Sequence, residues 1–222
     1  MTPAEWDALR LSALVGLGAV ACTLPVAVVL GYLLARREFA GKALVDAVLL
    51  LPLVLPPVVT GYALLLLLGR RGALGPLLRA IGLDVAFTWR GAVVASAVMA
   101  FPLAYRACRL AFEAVDPRLE GVARTLGASR WSVFARITLP LARGGIVAGA
   151  LLAFARSLGE FGATMVLAGN VAGETRTLPI AVWSLLQAPD GLAGTWRLAV
   201  VAALLSVGAL LVGERLARGG GR

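Results

Sequence analysis

Long apolar runs set the element pattern of this chain. They fall at roughly Leu11–Leu34, Ala43–Leu68, Gly91–Leu110, Gly144–Ala168 and Leu198–Val212, the last extending toward Trp196 or Glu214. A helix needs about 20 apolar residues to cross a hydrocarbon core. A backbone facing lipid must also pair its own amides, which leaves helices or a closed barrel. Barrel strands alternate over about ten residues, and these runs do not alternate. The pattern predicts an all-α membrane protein with about five transmembrane helices, near residues 11–34, 43–68, 91–110, 144–168 and 196–214. Residues 1–10 are expected to form a short lead outside the membrane, and residues 215–222 a basic tail.

Several of the runs carry interruptions. Pro25 is placed to kink the first. The second contains Pro52, Pro56 and Pro57, which remove three backbone donors within six positions, and Pro57 pushes Pro56 out of the α region. Such backbone is tolerated at membrane depth where it is buried in protein or lines a wet cavity. The segment, with Thr60 just beyond it, therefore reads either as a packed kink or as part of a pathway. In the fourth run, Gly145 and Gly149 allow a neighbouring helix to approach closely. Between runs, Leu74–Ile81 reads as a short interfacial helix and Leu178–Gln187 as an interfacial or re-entrant one.

The polar interlude Leu119–Leu141 is too patterned for a mere connector. Asp116-Pro117 provides an N-cap and a first-turn proline. Glu120 lies in the first turn, where a carboxylate suits the helix dipole. Leu119, Val122, Ala123 and Leu126 then form an apolar face, and Gly127 breaks or bends the helix. A second short helix, Ser129–Ile137, presents Trp131, Val133, Phe134 and Ile137, and Leu139-Pro140 is expected to end it before the next span. This face serves either to pack on the chain's own helices or to dock a partner.

Composition agrees with a membrane chain: 60% of residues are hydrophobic and the mean hydropathy is +0.89. The net charge of +9 would suggest nucleic acid in a soluble protein, but basic residues also collect on the cytoplasmic side of spans. Thirteen Lys and Arg fall on one face: Arg36, Arg37, Lys42, Arg106, Arg109, Arg118, Arg124, Arg130, Arg136, Arg143, Arg215, Arg218 and Arg222. Seven fall on the other, and Arg156 lies within a span. The tally predicts a cytoplasmic C-terminus, an external N-terminus and no nucleic-acid partner. No cleavable signal peptide is expected. Cys22 and Cys108 read as packing residues rather than a metal or disulfide framework. The chain has no histidine, which removes imidazole chemistry, and it has no GxxxxGK[ST] phosphate loop. No metal site and no bound cofactor are expected, and the chain is not expected to be an enzyme.

The series Glu120, Ala123, Gly127, Ile137-x-Leu139-Pro140 resembles the EAA loop of ABC importer permeases. Gly121-Val122-Ala123 stands where the family pattern has Glu-Ala-Ala, so Glu120 falls one residue early. The stretches LLPLVLPPVVTGY (50–62), FTWRGAVVASAVMAFPL (87–103), ARTLGASRW (123–131) and LAFARSLGEFGAT (152–164) resemble the permease subunit of molybdate ABC importers, from about Trp6 to Arg215. The resemblance implies the type I importer permease fold and a homodimer. It also implies two ATPase subunits that hold ATP and Mg²⁺, and an extracytoplasmic binding protein delivering molybdate or tungstate. It makes Glu120, Ala123, Gly127, Ile137, Leu139 and Pro140 the ATPase-coupling positions.

Arg156 and Glu160, four apart in the fourth run, can pair on a helix. Intramembrane charges face a bundle interior or water, so the pair reads either as a packing brace or as part of an anion path with Pro52, Pro56, Pro57 and Thr60. Glu174 and Arg176 read as binding-protein contacts or as an ordinary solvated loop. Sulfate or thiosulfate as cargo is the nearest alternative. A stand-alone channel or scaffold whose basic loop meets anionic lipid is a more distant one.

Overall fold

The computed structural model describes residues 1–189 and 192–219. Its helices are α1 Pro3–Arg36, α2 Lys42–Val54, α3 Pro57–Leu68, α4 Gly75–Ala80, α5 Trp89–Glu113, α6 Pro117–Thr125, α7 Arg130–Val133, α8 Leu139–Leu158, α9 Gly162–Leu167, α10 Leu178–Leu186 and α11 Leu192–Gly219. A π-helical turn, Phe134–Thr138, joins α7 to α8. No strand occurs among the described residues. Among the described residues three helices are long and apolar enough to cross a membrane, and the bent pair α2–α3 makes a fourth candidate. A shorter apolar stretch, Gly194–Gly208, lies within α11.

α5 is the hub. It packs against α1 and α8 through alanines that are fully buried, among them Ala100 and Ala104. Small residues set the spacing. A Cβ on Gly31 would meet the Arg109 backbone nitrogen at 3.0 Å, and one on Gly145 would meet the Ala111 Cβ at 2.4 Å. The Thr23 hydroxyl adds a bond to the Ala97 carbonyl at 3.2 Å.

The helix boundaries depart from the sequence reading in four places. The expected N-terminal lead is helical from Pro3, because Thr2 and Glu5 form a reciprocal capping box. α1 is 34 residues long, about 50 Å, and continues through Pro25. The second run is two helices bent by 110°, since Pro56 and Pro57 end α2 and start α3. The fourth run is not one helix: α8 stops at Leu158 and α9 starts at Gly162. Finally, Leu139-Pro140 does not end a helix. Helical structure is continuous from Arg130 to Leu158, with the Leu139 amide donating to the Phe134 carbonyl five residues back. Proline lacks an amide and its ring crowds the carbonyl four residues earlier. The wider π turn just before Pro140 relieves both problems. Of the expected basic tail, residues 220–222 lie outside the described residues.

Two ends of the molecule are defined by long-range contacts. At one end, α1 meets the loop 116–141 through Arg36 and Glu120, and α2 meets α5 through Asp46 and Arg109. At the other, the Leu178 amide donates to the Ser12 hydroxyl at 2.7 Å, and Arg197 pairs with Glu5 at 3.3 Å.

Candidate functional site

The loop 116–141 is ordered from within. The Asp116 carboxylate accepts from the Arg118 amide at 2.9 Å and starts α6. At the far end of α6 the Ala128 amide donates to the Ala123 carbonyl and the Gly127 amide to the Arg124 carbonyl, at 3.1 and 3.0 Å. This paired pattern is a Schellman cap. Gly127 sits at φ +85, in the left-handed region that glycine adopts without penalty. The Ser129 hydroxyl then accepts from the Ser132 amide and starts α7.

Glu120 faces inward. It is 5% exposed. Its Oε1 accepts from Arg36 Nε at 2.9 Å, from Arg36 Nη2 at 2.8 Å and from the Thr138 hydroxyl at 2.9 Å. Arg36 also donates to the Val115 carbonyl at 3.0 Å. One carboxylate thus joins the end of α1, the start of α6 and the π turn. Phe134 anchors the same region, edge-on to Tyr32 at 4.8 Å and near Phe112 at 6.3 Å. Ala123, Ile137 and Leu139 are half-buried, and Gly127 and Pro140 are exposed. The outward surface belongs to Leu119, Val122, Leu126 and Trp131, with Leu126 83% and Trp131 75% exposed. These four side chains form an exposed apolar ridge on a charged loop.

Arg156 and Glu160 do pair, at 2.7 Å, but not along an uninterrupted helix. Glu160 lies in the break, where its second oxygen accepts from the Ala163 amide at 2.9 Å and starts α9. The break packs against the other broken helix. A Cβ on Gly61 would meet the Ala163 Cα at 2.7 Å, and one on Gly162 would meet Pro57 Cβ at 2.8 Å. Thr60 is buried beside this contact, its hydroxyl without a partner. The structure therefore brings Pro57 and Thr60 to the fourth run, while Pro52 lies inside α2, whose residues are nowhere buried.

Glu174 is exposed on a loop at the opposite end from 116–141. Arg176 is half-buried and donates to the Asn170 side chain at 2.7 Å, which in turn bonds Ser184 at 2.9 Å. Glu174 is free to meet another molecule, whereas Arg176 holds its own loop.

Sequence reasoning missed Arg36, Thr138 and a second cluster. Asp46 of α2 accepts from the Tyr105 hydroxyl and pairs with Arg109, which also holds Glu113 at 2.7 Å. A carboxylate near the start of an apolar run was the available signal.

An all-helical bundle with broken spans and a buttressed loop that bears an apolar ridge is the frame of a transporter's membrane subunit. The chain belongs to the family of binding-protein-dependent transport system inner membrane components, which matches residues 27–219. Over 219 residues it is 54% identical to the molybdenum transport system permease protein ModB of Escherichia coli K12, covering 98% of this chain and 96% of the relative. It is 38% identical over 176 residues to the sulfate transport system permease protein CysW of Synechococcus elongatus, covering 79% of this chain and 62% of the relative. The fold is also that of a solved chain from a bacterial alginate ABC transporter in complex with an alginate-loaded periplasmic protein. That match has a TM-score of 0.76 and 19% identity, covering 98% of this chain and 80% of the other. The resemblance to ABC importer permeases and their molybdenum-transport members is borne out.

Proposed function

We propose that this chain is the membrane permease of an ATP-driven importer that carries molybdate inward across the cytoplasmic membrane. The 54% identity to a molybdenum permease across nearly the whole chain carries the reading. The working unit is a homodimer with two ATPase subunits and an extracytoplasmic binding protein. The exposed apolar surface supports the dimer: α3 buries only Thr60 and Gly61, and leaves Val58, Val59 and Tyr62 exposed.

In this reading the chain crosses the membrane about five times, N-terminus outside. The α6 ridge of Leu119, Val122 and Leu126 meets the ATPase, and Glu120 braces it from behind. Because α7, the π turn and α8 form one rod of 29 residues, a push on the ridge is delivered about 43 Å away, at the break holding Glu160. α9 then moves α3, and the site alternates between the two sides. Arg156 and Glu160 act in the joint of this lever, Glu174 meets the binding protein, and tungstate shares the path as a tetrahedral dianion of similar size. ATP and Mg²⁺ reside on the ATPase subunits.

The test is uptake of molybdate by cells whose own permease is deleted and whose ATPase and binding protein remain, with sulfate as competitor. Restored uptake resistant to excess sulfate is expected. Restored sulfate uptake alone establishes the second reading, which the similarity to a sulfate permease favours. No uptake of either and no co-purifying ATPase refutes the importer.

A further inference from the structure

The function proposed above leaves an open groove unused, between the end of α1 and helices α6 and α7. Its volume is 730 Å³, and its two parts differ chemically. One part is apolar, lined by Val29, Tyr32 and Leu33 of α1, with Val29 56% exposed. The other is basic, lined by Arg36, Arg37, Arg124 and Arg130, with Trp131 beside them. Arg36 is taken up by Glu120 and the Val115 carbonyl, and Arg124 gives its Nε to the Glu120 carbonyl at 3.2 Å. Among the described residues no carboxylate is within ion-pair distance of Arg37, Arg124 or Arg130, so three positive charges face the groove uncompensated.

The groove follows the last turns of α1, so where α1 spans the membrane it runs from the hydrocarbon toward the surface. Val29 precedes Arg37 by eight positions, about 12 Å of helix, so the apolar part reaches from the basic stop of α1 into the hydrocarbon. A soluble partner can touch the arginines but not Val29. The occupant has to be anionic at one end and apolar at the other. We propose that this groove binds an anionic glycerophospholipid. Its phosphodiester sits against Arg37, Arg124 and Arg130, an acyl chain lies along Val29, Tyr32 and Leu33, and the Trp131 indole lies at headgroup level. Basic clefts between membrane helices are suited to such headgroups, and tryptophan favours that depth. A lipid held there bridges α1 and the loop 116–141. The proposal rests on the reading of α1 as a membrane span that ends at the surface beside Arg36 and Arg37.

The test is native mass spectrometry of the chain with its bound subunits, released from nanodiscs of phosphatidylcholine containing about one phosphatidylglycerol in ten lipids. The ratio of retained phosphatidylglycerol to phosphatidylcholine is expected at about tenfold or more above the ratio set by its share of the bilayer, given three basic side chains at the surface. The triple variant Arg37→Gln, Arg124→Gln, Arg130→Gln should bring it to the bilayer ratio. Arg70→Gln, Arg71→Gln, Arg90→Gln removes as many charges at the other end and should keep the enrichment. No enrichment in the wild type overturns the proposal, as does equal loss in both triple variants. Enrichment that appears only after the ATPase subunits are stripped away also overturns it, since the partner then covers the groove. Should the first triple variant fail to assemble, quenching of Trp131 decides. Measured as wild type minus Trp131→Phe, it should be several-fold stronger with brominated phosphatidylglycerol than with brominated phosphatidylcholine, and equal quenching overturns the site. Absent molybdate uptake with enrichment intact counts against the importer and leaves the lipid site standing.

Discussion

Replacing Glu120 with alanine should loosen the join between α1 and the loop 116–141 by an amount set by its partners. Breaking a buried ion pair by removing one member costs about 3–5 kcal/mol. Arg36 is 14% exposed at its side chain and keeps the Val115 carbonyl, so part of its guanidinium can turn to water and the loss falls to about 2 kcal/mol. The Thr138 hydroxyl is fully buried and loses its acceptor, adding about 1 kcal/mol. A total of about 3 kcal/mol corresponds to a fall of about 6–12 °C in unfolding midpoint for a chain of this size. Cys108 provides the probe, being free and buried. In a Cys22→Ala background, a thiol-reactive dye labels Cys108 only as the bundle of α1, α5 and α8 opens during heating in detergent. Arg36→Ala and the double variant complete a cycle, in which the two losses should overlap by about 1–2 kcal/mol. A shift below about 2 °C, or strict additivity of Arg36→Ala and Glu120→Ala, would refute the internal brace and return Glu120 to the docking surface.

Gly127→Ala meets no atom within 4 Å but is forced to φ +85, at about 1–2 kcal/mol. It should weaken recovery of the ATPase subunits in a pull-down, while Gly121→Ala, equally uncrowded, should not. Gly61→Val places a side chain 2.7 Å from the Ala163 Cα; overpacking of about 1–3 kcal/mol should lower uptake without affecting ATPase recovery, and unchanged uptake would uncouple α3 from α9. Arg156→Ala should lower the unfolding midpoint more than Glu160→Gln, because it strands a carboxylate that is 1% exposed, whereas the Arg156 side chain is 27% exposed. The double variant Arg156→Met, Glu160→Gln should restore uptake if the pair is only a brace; persistent loss with a normal midpoint assigns a charge to the anion path.

Local signals are legible in this sequence, and partners distant in sequence are not. Asp116, Pro117 and Gly127 each act on backbone within a few residues, so their roles could be read from spacing. The break at Glu160 escaped because hydropathy runs on through Gly159–Ala168 and no proline marks it. Only the Gly159 and Gly162 pair around Glu160 hinted at it. Pro140 misled in the opposite direction, since the π turn that accommodates it leaves no mark in the apolar pattern. Glu120 and Arg36 are 84 positions apart, and Asp46 and Arg109 are 63 apart. Nothing in one sequence says that these charges meet. For the same reason, nothing near Glu120 in the sequence marks its carboxylate as turned toward Arg36 and Thr138.

In the proposed importer, the two broken runs tie the loop to the proline-rich segment. The rod from Arg130 to Leu158 has 29 residues, so a tilt of about 5° about its loop end displaces the far end by about 4 Å. The contacts of Gly61 with Ala163 and of Gly162 with Pro57 leave no slack for even a methyl group, and close-packed interiors transmit such displacements rather than absorb them. α3 therefore has to follow α9. It can do so without dragging α2, because Pro56 and Pro57 have already replaced a helical join with a 110° bend. α2 stays with α5 through Asp46, Tyr105 and Arg109. In the proposed importer, the prolines free one half of the span to move, the Arg156–Glu160 pair keeps the opposite joint from unravelling, and the Glu120 brace makes the loop stiff enough to push.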